Sequence, residues 1–256
     1  MKKLMLAAIA AAASLGGSAN AAEMAVPVPV YRPPLVTYFT WSGCYVGGNV
    51  GGLWAGTDWT DQIPADPFFG SDFGRQRVNG GLGGAQVGCN YQIGGWVFGM
   101  QGDYDWSQAT GSSVNTAFPF LSDQSNIRAL SSLTGRVGYA WDRFLLYGKG
   151  GGAWVRSDYN ILNPTFNGFP VAVAAETRGG WTLGIGGEYA FLDWLTGFVE
   201  YDFYGFGTNT STFICPPTLC GFATTSAPIN ITMNINVLKV GLNFKFGPTA
   251  PLLARY

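Results

Sequence analysis

Asp103 and Asp105 stand two residues apart in the stretch WVFGMQGDYDWS, Trp96 to Ser107. Close carboxylates are a common arrangement for acid–base chemistry. Glu188, Glu200 and Asp202 add three further acids, and Arg128, Arg136, Lys149, Arg178, Lys239 and Lys245 supply cations in segments of the same character. Hydrolytic and acyl-transfer sites usually rely on His beside Ser or Asp, and the chain contains no histidine. Two acids two apart in a strand, beside Arg128, read as structural. GKGGG at 148–152 lacks the G-x-x-x-x-G-K-S/T spacing of a phosphate loop, and the four cysteines form no CxxC pairs of the kind that hold zinc. The residues therefore point to no metal, no cofactor and no enzymatic activity.

The elements that position these charges are strands. In Trp96–Ser107 one alternate set reads Trp96, Phe98, Met100, Gly102, Tyr104, Trp106, and the other Val97, Gly99, Gln101, Asp103, Asp105, Ser107. Period-two alternation puts grease on one face and acid on the other. The pattern recurs in eight segments, read as strands at about 43–55, 78–91, 96–107, 127–141, 144–155, 177–190, 194–206 and 233–246. Links after the second, fourth and sixth strands are short. Those near 57–77, 107–126, 156–176 and 207–232 are long and polar, and read as loops. An even number of strands with short turns at one end and long loops at the other is the pattern of an outer-membrane barrel.

Composition agrees. Of the 256 residues 47% are apolar and only 11% charged, against about 25% charged in a typical soluble domain. MKKLMLAAIAAAASLGGSANA has two lysines, a short apolar run and Ala19-Asn20-Ala21, the form of a secretory signal at 1–21. Without Lys2 and Lys3, twelve basic residues stand against fifteen acids, a balance that indicates no nucleic acid. Residues 22–40 are proline-rich and read as a periplasmic lead-in, 41–246 as the barrel and 247–256 as a tail. Export allows Cys215 and Cys220, in CPPTLC, to form a loop disulfide. Cys44 and Cys89 fall on the apolar face of adjacent strands and fit either a cross-strand bridge or two packed thiols.

The fold expected is all-β: an eight-stranded antiparallel up-and-down transmembrane β-barrel. Unpaired backbone is intolerable in hydrocarbon, so a spanning sheet must close. Trp96 and Trp106 then mark the edges of an apolar band about 25 Å tall. Tyr139, Trp141, Phe144, Trp154, Trp181 and Tyr189 join them in a lipid-facing aromatic belt. The eleven charges share the opposite parity and are assigned to a lumen network in which Glu200 faces Lys239 and Asp105 lies level with Arg128. A barrel of eight strands is just wide enough to be filled by side chains, which favours a salt-bridged plug over a conduction path. A soluble β-sandwich is the alternative fold, and it would normally carry more surface charge.

WSGCYVGGNVGGLWA at 41–55 resembles the W-S/T-G-x-Y-V/I-G-G-N-x-G opening of the small porin-family outer-membrane proteins of alphaproteobacteria, within the wider OmpA-like eight-stranded barrel group. LTGRVGYAWDRFLLYGKGGGAW at 133–154, GWTLGIGGEYAF at 180–191 and NVLKVGLNFKF at 236–246 fit as well. The resemblance implies location in the outer membrane of a Gram-negative envelope, contact with outer-membrane lipid and lipopolysaccharide, and passage through the barrel-assembly machinery. Val240, Leu242, Phe244 and Phe246 match that machinery's C-terminal signal, although GPTAPLLARY follows here. The function expected is structural, in envelope integrity and surface properties. The family's porin label implies the alternative of a narrow passive pore for ions or small solutes.

Overall fold

The computed structural model describes residues 39–61, 72–114, 122–163, 169–214 and 226–247. The expected signal peptide, most of the lead-in, the tail and the Cys215–Cys220 segment lie outside these residues. Eight strands follow one another in chain order: β1 (Gly43–Asp61), β2 (Asp72–Ile93), β3 (Trp96–Val114), β4 (Ser122–Trp141), β5 (Phe144–Asn163), β6 (Phe169–Leu192), β7 (Leu195–Ile214) and β8 (Ser226–Phe246). Each pairs antiparallel with the next, and β1 pairs with β8 from Cys44↔Phe246 to Asp61↔Ile229, which closes the barrel. The tight links are two-residue turns. Asp142 takes φ 53° and Gly94 φ 59°, the left-handed conformation that matches a hairpin turn to strand twist.

The strands are longer than the alternation suggested, and this corrects the reading of 57–77, 107–126, 156–176 and 207–232 as loops throughout. Most of each segment continues the wall. The reason is a change of medium along one strand. In the lower part of β8, Leu238, Val240, Leu242, Phe244 and Phe246 face outward, and Lys239 and Asn243 are buried in the lumen. Above Val237 the chemistry inverts without a change of phase. Ile229, Ile231, Met233, Ile235 and Val237 are buried inside, while Asn230, Thr232, Asn234 and Asn236 point outward. In β1 the same inversion follows Trp54: Leu53, Ala55 and Trp59 are buried, and Gly56 and Asp58 face out. Below the inversion the outside is lipid. Above it the outside is water, so the wall buries apolar residues inward as a soluble barrel does. Strands of about 20 residues at about 3.3 Å each and a tilt near 40° rise roughly 50 Å, about twice the hydrocarbon band.

Irregularities in pairing also move side chains between faces. Register shifts fall between Trp106 and Ala109 on the β3–β4 ladder and between Ile127 and Ala129 on the β4–β5 ladder. Ala129 and Leu130, consecutive residues, are both buried, and Arg128 is thrown outward. A one-residue bulge of this kind reverses parity beyond it.

Candidate functional site

The lumen is built in three layers. The lowest is a cork at the periplasmic mouth. Trp41 is 1% exposed and packs with Val97, Ala140, Leu145, Tyr147 and Ala190. Its backbone N–H donates to Gln92 Oε1 (2.7 Å) and its indole N–H to Asp142 O (3.0 Å). Phe39 sits edge-on to it at 5.0 Å, with the Arg143 guanidinium and Lys245 Nζ 5.3 and 4.6 Å from the Phe39 ring centre. Lys245 also donates to Thr40 O. Lys245 therefore closes the mouth rather than entering the central ion cluster, and residues just before β1 supply the cork.

The middle layer holds the ions. Lys149 Nζ lies 2.7 Å from Glu200 Oε1, 3.3 Å from Asp202 Oδ1 and 3.5 Å from Asp103 Oδ2. Lys239 Nζ lies 3.0 Å from Asp202 Oδ2, 3.2 Å from Glu200 Oε1, and 3.5 Å from both Asp103 Oδ1 and Asp105 Oδ2. Lys149, Glu200, Asp202 and Lys239 side chains have no solvent exposure. Glu200 and Lys239 are direct ladder partners. Lower in the same layer Arg136 donates to Glu188 (2.8 Å) and to Tyr45 Oη (2.7 Å), with its guanidinium 3.8 Å from the Tyr147 ring centre. Tyr45 Oη donates to Gln101, Gln101 to Asp103, and Tyr147 Oη to Glu200, so one hydrogen-bonded web joins the two ion groups. Buried charge is tolerable only when paired, and Lys239 and Asp202 are held by ion pairs at 3.0–3.5 Å.

Space for the web comes from glycine. A Cβ on Gly84 would fall 2.0 Å from Asp105 Oδ1, and one on Gly184 2.1 Å from Asp202 Oδ1. The inward glycines on β2 and β6 are thus the room into which the acids on β3 and β7 reach.

The upper layer is mainly apolar, with Gln76, Asp123 and Ser125 buried among its side chains. It includes Leu53, Trp59, Val155, Tyr204, Phe206 and the buried isoleucines of β8. Trp59 meets Tyr159 edge-on at 5.6 Å, and Tyr204 stacks on Phe206. Arg178 is buried here, apart from the central cluster: it contacts Glu176 at 3.1 Å, donates to Ser211 Oγ at 2.7 Å and to Ile231 O at 2.7 Å.

Arg128 is the one charge assigned to the lumen that lies outside it. It is 60% exposed and pairs with Asp158 on the outer wall at 2.8 Å. Asp105 stands level with Leu130 instead. The bulge at Ile127/Ala129 is the cause, and nothing in the alternation of residues 127–141 announces it. Trp41 and Glu176 escaped the sequence reading. Trp41 shares the parity of Tyr45 at the head of the first strand, a signal that was available.

Trp96, Trp106, Tyr139, Trp141, Phe144, Trp154, Trp181 and Tyr189 all face outward. Several meet across strands, Trp96 with Tyr139 at 5.5 Å and Trp141 stacked on Phe144. They bound a band that includes Phe98, Val137, Leu183, Val199 and Val240 on the same outer face. A contiguous apolar girdle of this height on a closed barrel is a lipid-facing surface. Cys44 and Cys89, direct partners on β1 and β2, are joined by a disulfide on this face.

Comparison with known proteins gives the same picture. The chain matches the family described as outer membrane protein beta-barrel domain over residues 8–246. It is 30% identical to the 31 kDa outer-membrane immunogenic protein of Brucella melitensis over 262 residues, covering 96% of this chain and 100% of that one. It is 26% identical to the 25 kDa outer-membrane immunogenic protein of Brucella abortus, over 86% of this chain and 85% of the relative. Among solved structures, the outer membrane protein OprG of Pseudomonas aeruginosa superposes with a TM-score of 0.52 at 10% identity, over 81% of this chain and 97% of that one, which shows the shared fold. A closed eight-stranded wall, a lipid girdle on its lower half and these relatives together make the chain a member of the outer membrane protein beta-barrel family, resident in the outer membrane.

Proposed function

We propose that this barrel is a sealed structural element of the outer membrane, contributing to envelope integrity and presenting a tall polar wall to the exterior, without catalytic activity. The observation that carries the reading is the layered lumen. Lys149, Lys239, Glu200 and Asp202 are wholly buried between the Trp41 cork below and the Leu53–Val237 apolar layer above. A hydrated ion would have to break that web and then cross the packed apolar cluster that includes Leu53, Ile231, Met233 and Ile235. Catalysis has little to work with: Asp103 and Asp105 are held on Lys239, Glu188 on Arg136, and the chain has no histidine base.

Planar-bilayer recording tests the proposal. Purified protein that shows heat-modifiable migration, and so is folded, gives no unitary conductance. Reproducible steps from such a preparation overturn the sealed barrel in favour of a narrow pore.

Two partners fit the surface. Arg128 and Arg156 face outward just above Trp106 and Trp154, at the height of phosphate groups on outer-leaflet glycolipid. Replacing both with Ala lowers the lipopolysaccharide that co-purifies with the barrel; unchanged recovery removes that contact. Val240, Leu242, Phe244 and Phe246 form an exposed apolar row at the end of β8, suited to recognition by the barrel-assembly machinery. Phe246→Ala then lowers the amount of folded protein in the outer membrane.

A further inference from the structure

Just above the inversion on β1 the outer wall carries a notch. Trp54, Gly56 and Asp58 face outward in turn, and Gly56 has nothing within 4 Å of an added Cβ. Its ladder partners are Arg77 on β2 and Asn234 on β8, both exposed. Below it Trp54 stands level with Asn79 and Asn236, and above it Asp58 stands level with Arg75. The missing side chain leaves a groove of about 430 Å³ in the outer face of three adjacent strands, inside the range of about 300–1,000 Å³ usual for small-ligand sites. Strands lie about 4.8 Å apart, so the Arg77 and Asn234 backbones stand roughly 10 Å apart across the glycine floor. One six-membered sugar ring fits that width with a hydrogen bond on either side.

The polar groups of this groove are mostly unengaged. Arg75 Nε donates to Asp58 at 2.7 Å, which pairs the one acid of the lining. Arg77 is left as the net positive charge, and among the described residues Arg77, Asn79 and Asn234 have no side-chain partner. Tyr201 Oη donates to Asn236 Oδ1 at 2.7 Å, so the amide nitrogen of Asn236 remains to donate. Trp54, 45% exposed, supplies an indole at the lower end. The wall beside and above the groove pairs with itself instead, Thr208 with Thr232 and Thr210 with Asn230. Free donors are therefore concentrated around the Gly56 floor.

We infer that the groove over Gly56 binds a single acidic sugar ring, a pyranose bearing one carboxylate. The occupant follows from the lining. The indole of Trp54 suits the apolar C–H face of such a ring. The carboxamides of Asn79, Asn234 and Asn236 suit its hydroxyls. The Arg77 guanidinium suits its carboxylate, which it holds through two parallel N–H bonds. An apolar ligand would leave these donors unpaired, and a bare anion would engage Arg77 and leave the indole and amides idle. The groove begins at the upper edge of the lipid girdle, so the sugar arrives either on a membrane glycolipid or free from the medium. The site lies on β8, β1 and β2, away from Arg128 and Arg156 on β4 and β5. It goes beyond the structural role and stands whether or not the lumen conducts.

The test uses the full chain folded in phosphatidylcholine nanodiscs, with glucuronic acid as probe and glucose and acetate as controls. Glucuronate gives saturable NMR shifts at the Trp54 indole N–H and at the Asn79 and Asn234 side-chain amides, and glucose and acetate bind about tenfold more weakly or less. Gly56→Leu fills the groove and abolishes the shifts. Arg77→Gln brings glucuronate down to the level of glucose, an independent reading should the Gly56 variant fold poorly. A second nanodisc that contains outer-membrane glycolipid separates the sources. A Trp54 signal already shifted there, and no longer responsive to glucuronate, shows that the membrane supplies the sugar; an unaltered titration shows that it comes from solution. Absence of any saturable shift in the glycolipid-free disc overturns the proposal. So does an equal response to acetate or to glucose, a heat-modifiable and hence folded Gly56→Leu barrel that binds unchanged, or an Arg77→Gln barrel that still prefers glucuronate.

Discussion

Gly184 stands across the β6–β7 ladder from Asp202, and the space where its side chain would be is filled by the Asp202 carboxylate. Asp202 needs that space to reach both lysines. Gly184→Ala is expected to push the carboxylate off Lys149 and Lys239 and to destabilise the barrel by about 1–3 kcal/mol, the usual range for overpacking. Gly56, on the outer wall, has nothing within 4 Å of an added Cβ. Gly56→Ala therefore stays within about 0.5 kcal/mol of the parent. Urea unfolding in lipid vesicles, followed by tryptophan fluorescence, reads both.

Lys239 lies 3.0–3.5 Å from four carboxylates. Lys239→Met leaves them buried with Lys149 alone, and the expected loss is about 3–5 kcal/mol. Arg128→Met removes an exposed pair with Asp158 and costs about 0–1 kcal/mol. Equal unfolding midpoints for the two variants contradict the placement of these cations.

The inversion along β8 predicts three different responses to one substitution. Val240→Lys faces lipid and costs about 2–4 kcal/mol. Asn234→Lys faces water and is neutral within about 0.5 kcal/mol. Ile235→Lys puts an unpaired cation into the upper apolar layer and is the most damaging of the three. Refolding yields and urea midpoints that rank otherwise place the boundary elsewhere than between Val237 and Leu238.

The Cys44–Cys89 disulfide closes a 45-residue separation on the lipid face. Replacing both with Ala is expected to cost about 2–4 kcal/mol. A water-soluble phosphine reduces the bond in urea-unfolded protein and leaves it intact in the inserted barrel. Equal reduction rates in the two states would put these sulfurs in contact with water.

The membrane-embedded half was legible in the sequence because lipid enforces strict parity: Trp96, Phe98 and Trp106 against Asp103 and Asp105 admit one assignment of faces. The Glu200–Lys239 pairing followed from hairpin arithmetic. The upper half was not legible as wall, since Asn230–Asn236 alternate with the opposite sense and resemble a polar loop when an apolar exterior is assumed. Arg128 was misplaced for a different reason. A bulge adds one residue to one strand, and single-sequence alternation cannot register it while both flanking segments remain regular. Arg178 does face inward, yet its partners Glu176 and Ser211 lie in the part read as loop, so its separation from the central cluster was hidden.

The doubled height of the wall has a consequence for how this protein can diversify. Links that begin at Asp61, Val114, Asn163 and Ile214 start from a rim some 25 Å beyond the bilayer surface, at about 3.3 Å per residue and the tilt usual for such strands. A pedestal of that length separates whatever those links contact from the foundations in lipid. Sequence turnover at the summit can proceed without disturbing insertion, and a binder that grips the summit need never touch the bilayer.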